Sequence, residues 1–372
     1  MEIHILQSMS SNRFCVFCGK RPEKKNREHV LPQWLLELTG KPNRVVNFGT
    51  NFRTGEMIRF DWLNFCVPAC DSCNAEYSDL EGRAKNYVLT ILGRGSLSSI
   101  EYSDFMDWLD KVRVGIWIAY HFIQNNPTAI QPMFHIKTRI SQKDRMIAIY
   151  PITGDGVGLN AFGAESLVFH SQPSCFGLRI NNVLIINMSS DYLFAARCGF
   201  PYPKTCYTKL DGENSHMMHT SEYEITRHIK HPLIRRKIVK PSIHLYQPII
   251  SKSSKRFQSN FLGNHSSFDS YLAKNTMPPY STGKGILYFQ HLDRVEPLFN
   301  ISEPIEFQNC TGIHSKPMYE LVKQVYEFQN FIYERAEFKA DDSALLRRQM
   351  ERKKLLIKRN KDVISHYSAM SK

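Results

Sequence analysis

The sequence has no apolar run near the roughly 20 residues that a membrane-spanning helix requires. Residues 1–13 are polar and contain no apolar core followed by small residues, as a secretory signal peptide would. We find no internal repeat, and the glycine-bearing stretches at 154–158 and 281–285 do not have the spacing of a phosphate-binding loop. These absences argue against membrane, secreted, solenoid and P-loop proteins. We therefore expect a cytoplasmic protein with no membrane partner.

The cysteines number nine, and this odd count argues against a fully paired disulfide framework. Four of them form two Cys-x-x-Cys pairs that lie far apart in the sequence. In a reducing compartment, such pairs are typical of tetrahedral zinc sites. The sequence therefore predicts a structural zinc ion with Cys66 as a competing ligand, or else two unrelated cysteine pairs. The predicted ligands are Cys15, Cys18, Cys70 and Cys73.

The charge balance is strongly basic, with 48 lysines and arginines against 35 aspartates and glutamates and a formal net charge of +13. Basic side chains that neutralise phosphates release condensed counterions, so such a balance favours a polyanionic partner. Nucleic acid is the favoured partner, and a merely soluble basic protein is the alternative.

Five elements of the sequence resemble the HNH, or ββα-metal, nuclease family. In order, they are the turn CVFC at Cys15–Cys18, the run EHVLP at Glu28–Pro32, an asparagine before the second turn, the turn CDSC at Cys70–Cys73, and Asn74 directly after it. The resemblance covers about a quarter of the chain, at its N-terminal end only. It implies a zinc-bound unit of two strands and a helix that hydrolyses phosphodiester bonds, with DNA as the favoured substrate.

The resemblance also implies a role for each polar residue of the set. His29 is expected to be the general base that deprotonates the attacking water, as suits a side chain that titrates near neutral pH. Glu28 and Asn74 are expected to hold a catalytic Mg²⁺ or Mn²⁺ ion, which neutralises charge at the phosphate. Asn64 is expected to orient the His29 ring or to support the loop. On an extended strand, Glu28 and His29 point to opposite faces. The alternative for His29 is a structural role in a zinc-stabilised turn.

The chain departs from the family pattern at three of these positions. Glu28 stands where aspartate is commoner, Asn74 stands where histidine is commoner, and Asn64 lies about one residue too far from the second cysteine turn. The first two changes keep oxygen ligands for a hard ion, whereas the third weakens the role of Asn64. Glu81 follows Asn74 by two helical turns, so it is either a further ligand of the catalytic ion or a surface carboxylate in a salt bridge.

A second basic feature lies in the stretch FHIKTRISQKDR, residues 134–145. Alternating positive residues on a strand would present one charged face. That face either grips a nucleic-acid backbone or an anionic ligand, or is simply solvated. The residues of the predicted face are Lys137, Arg139, Lys143 and Arg145.

The fold class predicted from these patterns is α+β. Helical spacing follows the second cysteine turn, a buried helix is expected over 105–125, and apolar runs at 146–152, 166–171, 175–180 and 182–188 predict strands. Two further helices are expected at about 317–338 and 342–368, the last one basic. We predict a zinc-bound ββα-metal nuclease domain at 10–96, a larger mixed α/β recognition or regulatory domain at 101–315, and C-terminal helices at 316–372.

The leading hypothesis is a metal-dependent endonuclease restrained by a protein partner, a small anionic activator or its own specificity. A lone nuclease with a large appended domain is an arrangement often seen in bacterial anti-phage defence, which is an analogy from domain layout. The alternatives are a zinc-ribbon module that binds nucleic acid without cutting it, and a ligand sensor with a nuclease output. Paired copies would cut both strands, so a homo-oligomer is also considered.

Overall fold

A computed structural model describes most of the chain. Residues 1–13 and several later segments, including the predicted strand at 166–171, lie outside the described residues. For the strands at 201–211 and 215–225, only the backbone is described. The described residues are 14–24, 26–51, 54, 56–123, 135–141, 143–153, 156–164, 174–190, 193–198, 201–211, 215–225, 240–248, 286–291, 294–308, 315–335 and 343–371.

Two short strands and a long helix adjoin the two cysteine turns. Strand β1 (Asn26–His29) pairs antiparallel with β4 (Cys66–Ala69), and the helix α2 (Asp71–Leu92) begins two residues later. The helix buries one face against the core, because its apolar residues recur three or four positions apart. This confirms the helical spacing predicted for the segment. The buried residues of that face include Leu80, Ala84, Val88 and Ile91.

The insert between β1 and β4 contains a short helix, α1 (Gln33–Leu38), and a hairpin of β2 (Val45–Thr50) and β3 (Met57–Asp61). A single 3-10 turn, Trp62–Asn64, leads from the hairpin into β4. Aromatic rings from both hairpin strands, from this turn and from the residue after it pack mostly edge-to-face, whereas Phe60 and Phe65 are stacked; both arrangements suit the ring quadrupoles. The rings of this cluster are Phe48, Phe60, Trp62 and Phe65.

The central helix, α3 (Ser99–Ile123), is buried along most of its length. It begins with a capping box, in which the Ser98 backbone N–H donates to the Glu101 carboxylate at 2.7 Å. The preceding strand β5 (Leu97–Ser98) pairs with β15 (Pro304–Ile305). Only a few residues thus separate α2 from α3. One apolar core runs from the cysteine turns through α3 to the large sheet, across the predicted division at 96–101.

The large sheet has seven antiparallel strands in the order β14-β13-β12-β6-β9-β8-β7. Every residue of the central strands β6 and β9 is buried, because helices cover both faces of the sheet. Ile147 and Ile149 pack on the α3 side, whereas Met146 and Ala148 pack on the side of the C-terminal helices. The strands are β6 (Asp144–Pro151), β7 (Leu159–Phe162), β8 (Ser174–Ile180), β9 (Val183–Ser190), β12 (Ile243–Gln247), β13 (Tyr288–Gln290) and β14 (Val295–Pro297).

A short helix α4 (Leu193–Arg197) follows β9, and β10 (Pro201–Asp211) and β11 (Ser215–Ile225) form a separate two-stranded ribbon. Helices α5 (Ser315–Arg335) and α6 (Ser343–Met370) close the chain, as predicted. The fold is therefore α+β with C-terminal helices, which confirms the predicted class. No described helix is long and apolar enough to cross a membrane.

The packing of α5 and α6 includes a buried amide cluster. The Asn360 side-chain amide donates to Gln329 at 3.1 Å and to Asn330 at 3.0 Å. The Gln329 amide in turn donates to the backbone carbonyls of Gly163 and Cys175 at 2.8 and 2.7 Å. Because each of these buried polar groups has a partner, the cluster fixes how the helices sit on the sheet.

Candidate metal centre and active site

The two cysteine turns meet at one point. The ligand atoms of Cys15, Cys18, Cys70 and Cys73 all lie within 4.8 Å of one another. The Cys18 and Cys70 sulfurs are 3.8 Å apart, which matches the edge of a tetrahedron with zinc–sulfur bonds of about 2.3 Å. The cluster can therefore hold a structural metal such as zinc. It is the only group of three or more His, Cys, Asp or Glu ligands within the described residues.

Local structure places each of these thiols. The first turn is stabilised where the Gly19 backbone N–H donates to the Cys15 carbonyl. Cys70 directly precedes α2, and its backbone N–H donates to the Cys15 sulfur at 3.3 Å. Burial, together with the neighbouring cysteines, raises the pKa of both Cys70 and Cys73 to about 12. Despite the burial of Cys18, hydrogen bonds from the Lys20 backbone and the neighbouring cysteines lower its pKa. A bound cation is what would allow the sulfurs of Cys70 and Cys73 to ionise as well.

His29 stands on β1 directly opposite Cys66 on β4, half-buried. Its Nδ1 atom lies 3.2 Å from the Cys66 sulfur. Burial raises the pKa of the Cys66 thiol to about 11. The Arg27 charge lowers this pKa and the Glu28 charge raises it, and the group is a thiol at neutral pH. The thiol also donates to the Leu63 carbonyl at 3.5 Å.

Cys66 therefore has a different place from the one that the sequence suggested. It lies outside the four-cysteine group, so it is not a competing zinc ligand in the structure. It also makes the ring contact that was expected of Asn64, which is exposed at the end of the 3-10 turn. Strand pairing is the physical reason, because the register of β1 with β4 places Cys66 directly opposite His29. The pairing of the two strands is the signal that would have found this contact.

Glu28 points to the other face of β1 and is buried. Its Oε1 atom accepts from the Lys111 ammonium of α3 at 2.6 Å, and the same ammonium is also paired with Glu81 of α2. Burial raises the pKa of Glu28, and the Glu81 charge adds to this while Lys111 opposes it. Sequence reasoning missed Lys111, because its partners lie far from it along the chain.

The expected ligands of a catalytic Mg²⁺ or Mn²⁺ ion do not fit together as predicted. The carboxylates of Glu28 and Glu81 do converge, but a buried ammonium already stands between them. Asn74 is half-buried in the first turn of α2, next to the cysteine cluster.

In the basic segment 135–145 only Asp144 and Arg145 belong to a strand, so the described residues do not form one charged strand face, which corrects the prediction. The backbone N–H groups of Ile136 and Lys137 donate to carbonyls of the first cysteine turn, at 2.7 and 2.9 Å, and this turns the chain into a 3-10 helix. Lys137 is exposed and pairs with Glu76 at 3.1 Å. Arg139 lies over the Trp117 ring at 4.9 Å, and Lys143 is half-buried.

Arg145 is the sharpest departure from that prediction, because its side chain is wholly buried. It binds Asp107 at 2.5 Å and Asp110 at 3.1 Å, and its guanidinium also donates to Gln247 at 2.6 Å. Asp110 is shared with Arg113 of the same helix at 2.6 Å. This cluster joins α3 to the central strands, and Arg145 cannot reach a nucleic acid from it.

Comparison of the chain with protein-family models, with curated proteins and with solved structures finds no match.

Proposed function

We propose that the N-terminal unit hydrolyses phosphodiester bonds in nucleic acid, with DNA as the favoured substrate and His29 as the general base. The observation that carries this proposal is the position of His29. It lies on the first strand of a pair that the four-cysteine cluster closes and that α2 directly follows. That order of strand, strand and helix is what the resemblance to HNH nucleases implies.

The Cys66 contact favours a ring state that suits a base. Because the thiol donates its proton to the Leu63 carbonyl, the sulfur is left to accept a hydrogen bond from Nδ1–H of His29. Nε2 then keeps its lone pair and takes a proton from water. As the water oxygen bonds to phosphorus, the bond from phosphorus to the leaving sugar oxygen breaks, and that oxygen takes a proton from solvent.

The charge of the chain supports an anionic substrate. The formal net charge of +13 favours a polyphosphate backbone over a neutral substrate. In this proposal the residues after α2 supply recognition or regulation, through a protein partner, a small anionic activator or a second copy of the chain. A role in anti-phage defence and a cytoplasmic location belong to the same proposal and rest on the layout of the chain.

A second function, binding of nucleic acid without hydrolysis, is favoured by one observation. Glu28, the expected ligand of a catalytic ion, is buried and paired with Lys111. A zinc-stabilised unit that only binds would leave His29 as a structural partner of Cys66. The two functions differ in whether His29 is required for turnover.

Cleavage of plasmid DNA and of a structured RNA by the zinc-loaded full chain, in buffer containing Mg²⁺ or Mn²⁺, tests the proposal. A positioned base contributes about 10²–10⁴-fold to rate, so His29→Ala should lose at least a hundredfold. His291→Ala is the matched control, because His291 pairs with Glu296 on the sheet and should leave the rate unchanged. Zinc content is measured for each variant.

Equal cleavage by the wild type and His29→Ala would refute the assignment of the base. Absence of cleavage by the wild type, with equal binding of nucleic acid by both proteins, would favour the second function.

A further inference from the structure

Lys111 is a buried charge that the proposed hydrolysis does not use. It projects from the middle of α3, and its side chain is only 2% exposed. Burying an ammonium ion is costly unless it is paired and hydrogen-bonded. Its partners must therefore explain why it is there.

Those partners come from three different elements. Glu28 is supplied by β1, with its side chain 9% exposed, and Glu81 is supplied by α2, with its side chain 19% exposed. The ammonium of Lys111 is also 5.6 Å from the centre of the Phe17 ring, in the first cysteine turn. Strand β1, the first cysteine turn and the helices α2 and α3 thus converge on one cation.

We propose that the Lys111 ammonium is the resident cation of the Glu28 and Glu81 carboxylates, and that it excludes a divalent ion from them. The Oε1 atom of each carboxylate is already bound to the ammonium, so the pair cannot offer both of these oxygens to Mg²⁺ or Mn²⁺. A divalent ion beside the ammonium would meet a like charge in a poorly solvated site, where such repulsion is strongest.

The ammonium has no ready way to leave. The Lys111 side chain is only 2% exposed, and Glu28 and Phe17 beside its ammonium are themselves buried, so the ammonium cannot move into water without displacing them. Displacement by an ion would leave a buried ammonium without its carboxylates, which is strongly unfavourable. The ammonium therefore prevents free divalent ions from binding to these two carboxylates. This inference does not depend on the proposed hydrolysis, and its test measures no cleavage.

Titration of the zinc-loaded full chain with Mn²⁺, followed by the electron paramagnetic resonance signal of free Mn²⁺, tests the exclusion. Glu28→Gln should bind Mn²⁺ with the same stoichiometry and affinity as the wild type, because neither protein places an ion at this pair. Lys111→Met removes the ammonium but keeps a side chain of similar length. It should gain one Mn²⁺ site, and Lys111→Met/Glu28→Gln should lose that site.

The control for surface charge is Lys111→Met/Glu76→Gln. It removes an exposed carboxylate of α2, the helix that also carries Glu81, and should keep the gained site. A wild-type Mn²⁺ site whose affinity falls tenfold or more in Glu28→Gln would overturn the proposal. Such a result would mean that the ion displaces the ammonium from Glu28. A folded Lys111→Met that gains no site would also overturn the proposal. If Lys111→Met does not fold, the comparison of the wild type with Glu28→Gln decides alone.

Discussion

Replacement of Arg145 by methionine should be among the more damaging single changes in the large sheet. The guanidinium is wholly buried and binds Asp107, Asp110 and Gln247. Methionine fills a similar volume but removes the guanidinium from both carboxylates. Asp107 and Asp110 keep their hydrogen bonds from Ser141, and Asp110 keeps its ion pair with Arg113. Removing one partner of a buried ion pair typically costs about 3–5 kcal/mol. We therefore expect the free energy of unfolding to fall by about that amount.

The matched control comes from the same basic segment. Lys137→Met removes an exposed ion pair with Glu76, and pairs of that kind contribute less than about 1 kcal/mol. Urea unfolding followed by tryptophan fluorescence measures both variants, with the far-ultraviolet circular dichroism spectrum confirming that each folds. Equal midpoints for Arg145→Met and Lys137→Met would refute the burial argument. A larger loss for Lys137→Met would refute the surface placement of that lysine.

Three further changes have predicted outcomes. Chelation of zinc should lower the melting temperature of the wild type and expose the cysteine thiols to a thiol reagent, because metal binding contributes directly to the folding of such units. Gly163→Ala should lower the free energy of unfolding by about 2–4 kcal/mol in urea unfolding, since Gly163 has a φ of 81° and a Cβ there would lie 2.6 Å from the Gln329 amide nitrogen. Burial, with the nearby Arg197 charge, lowers the pKa of His244 to about 3. Below about pH 6.5 the His244 side chain binds a proton in the unfolded chain but not in the folded chain. The free energy of unfolding should therefore fall by up to about 1.4 kcal/mol for each pH unit between about 6.5 and 3. The change of the urea midpoint with pH measures this loss.

Each of these outcomes has its own control. Added zinc should restore the melting temperature after chelation, and thiols that react equally before and after chelation would contradict the metal assignment. Gly158→Ala, where nothing lies within 4 Å of the added Cβ, should be nearly neutral, and equal effects at both glycines would count against the crowding at Gly163. His244→Gln should show a flatter pH dependence than the wild type, and an unchanged slope would contradict the assignment to His244.

The cysteine cluster and the helix after it could be predicted from the sequence. Two Cys-x-x-Cys turns satisfy a tetrahedral ion only if they meet, and the spacing of Leu80, Ala84 and Val88 permits only one buried helix face. Strand alternation also predicted that Glu28 and His29 would point apart, as they do. These features could be predicted because each depends either on residues that are close together in the sequence or on a single chemical requirement.

The partners of the buried charges could not be predicted in this way. Lys111 binds carboxylates from β1 and α2, and nothing local on α3 indicates that either lies within reach. At 135–145, alternating charges imitate a strand, but contacts with the first cysteine turn bend the chain and the tertiary environment overrides the pattern. Arg145 and Lys137 have the same chemistry, and only the fold places one inside and the other outside.

The closure of β1 and β4 by the cysteine cluster has a consequence for chain entropy. The segment between the two turns is a long loop tied at its base, and the free-energy cost of closing such a loop grows only with the logarithm of its length. Doubling the length costs about 0.6 kcal/mol. The turn that joins β2 to β3 lies within this loop, so a peptide inserted there would lengthen a loop whose ends are already tied. The hairpin can thus carry an inserted tag while the pairing of His29 with Cys66 is preserved.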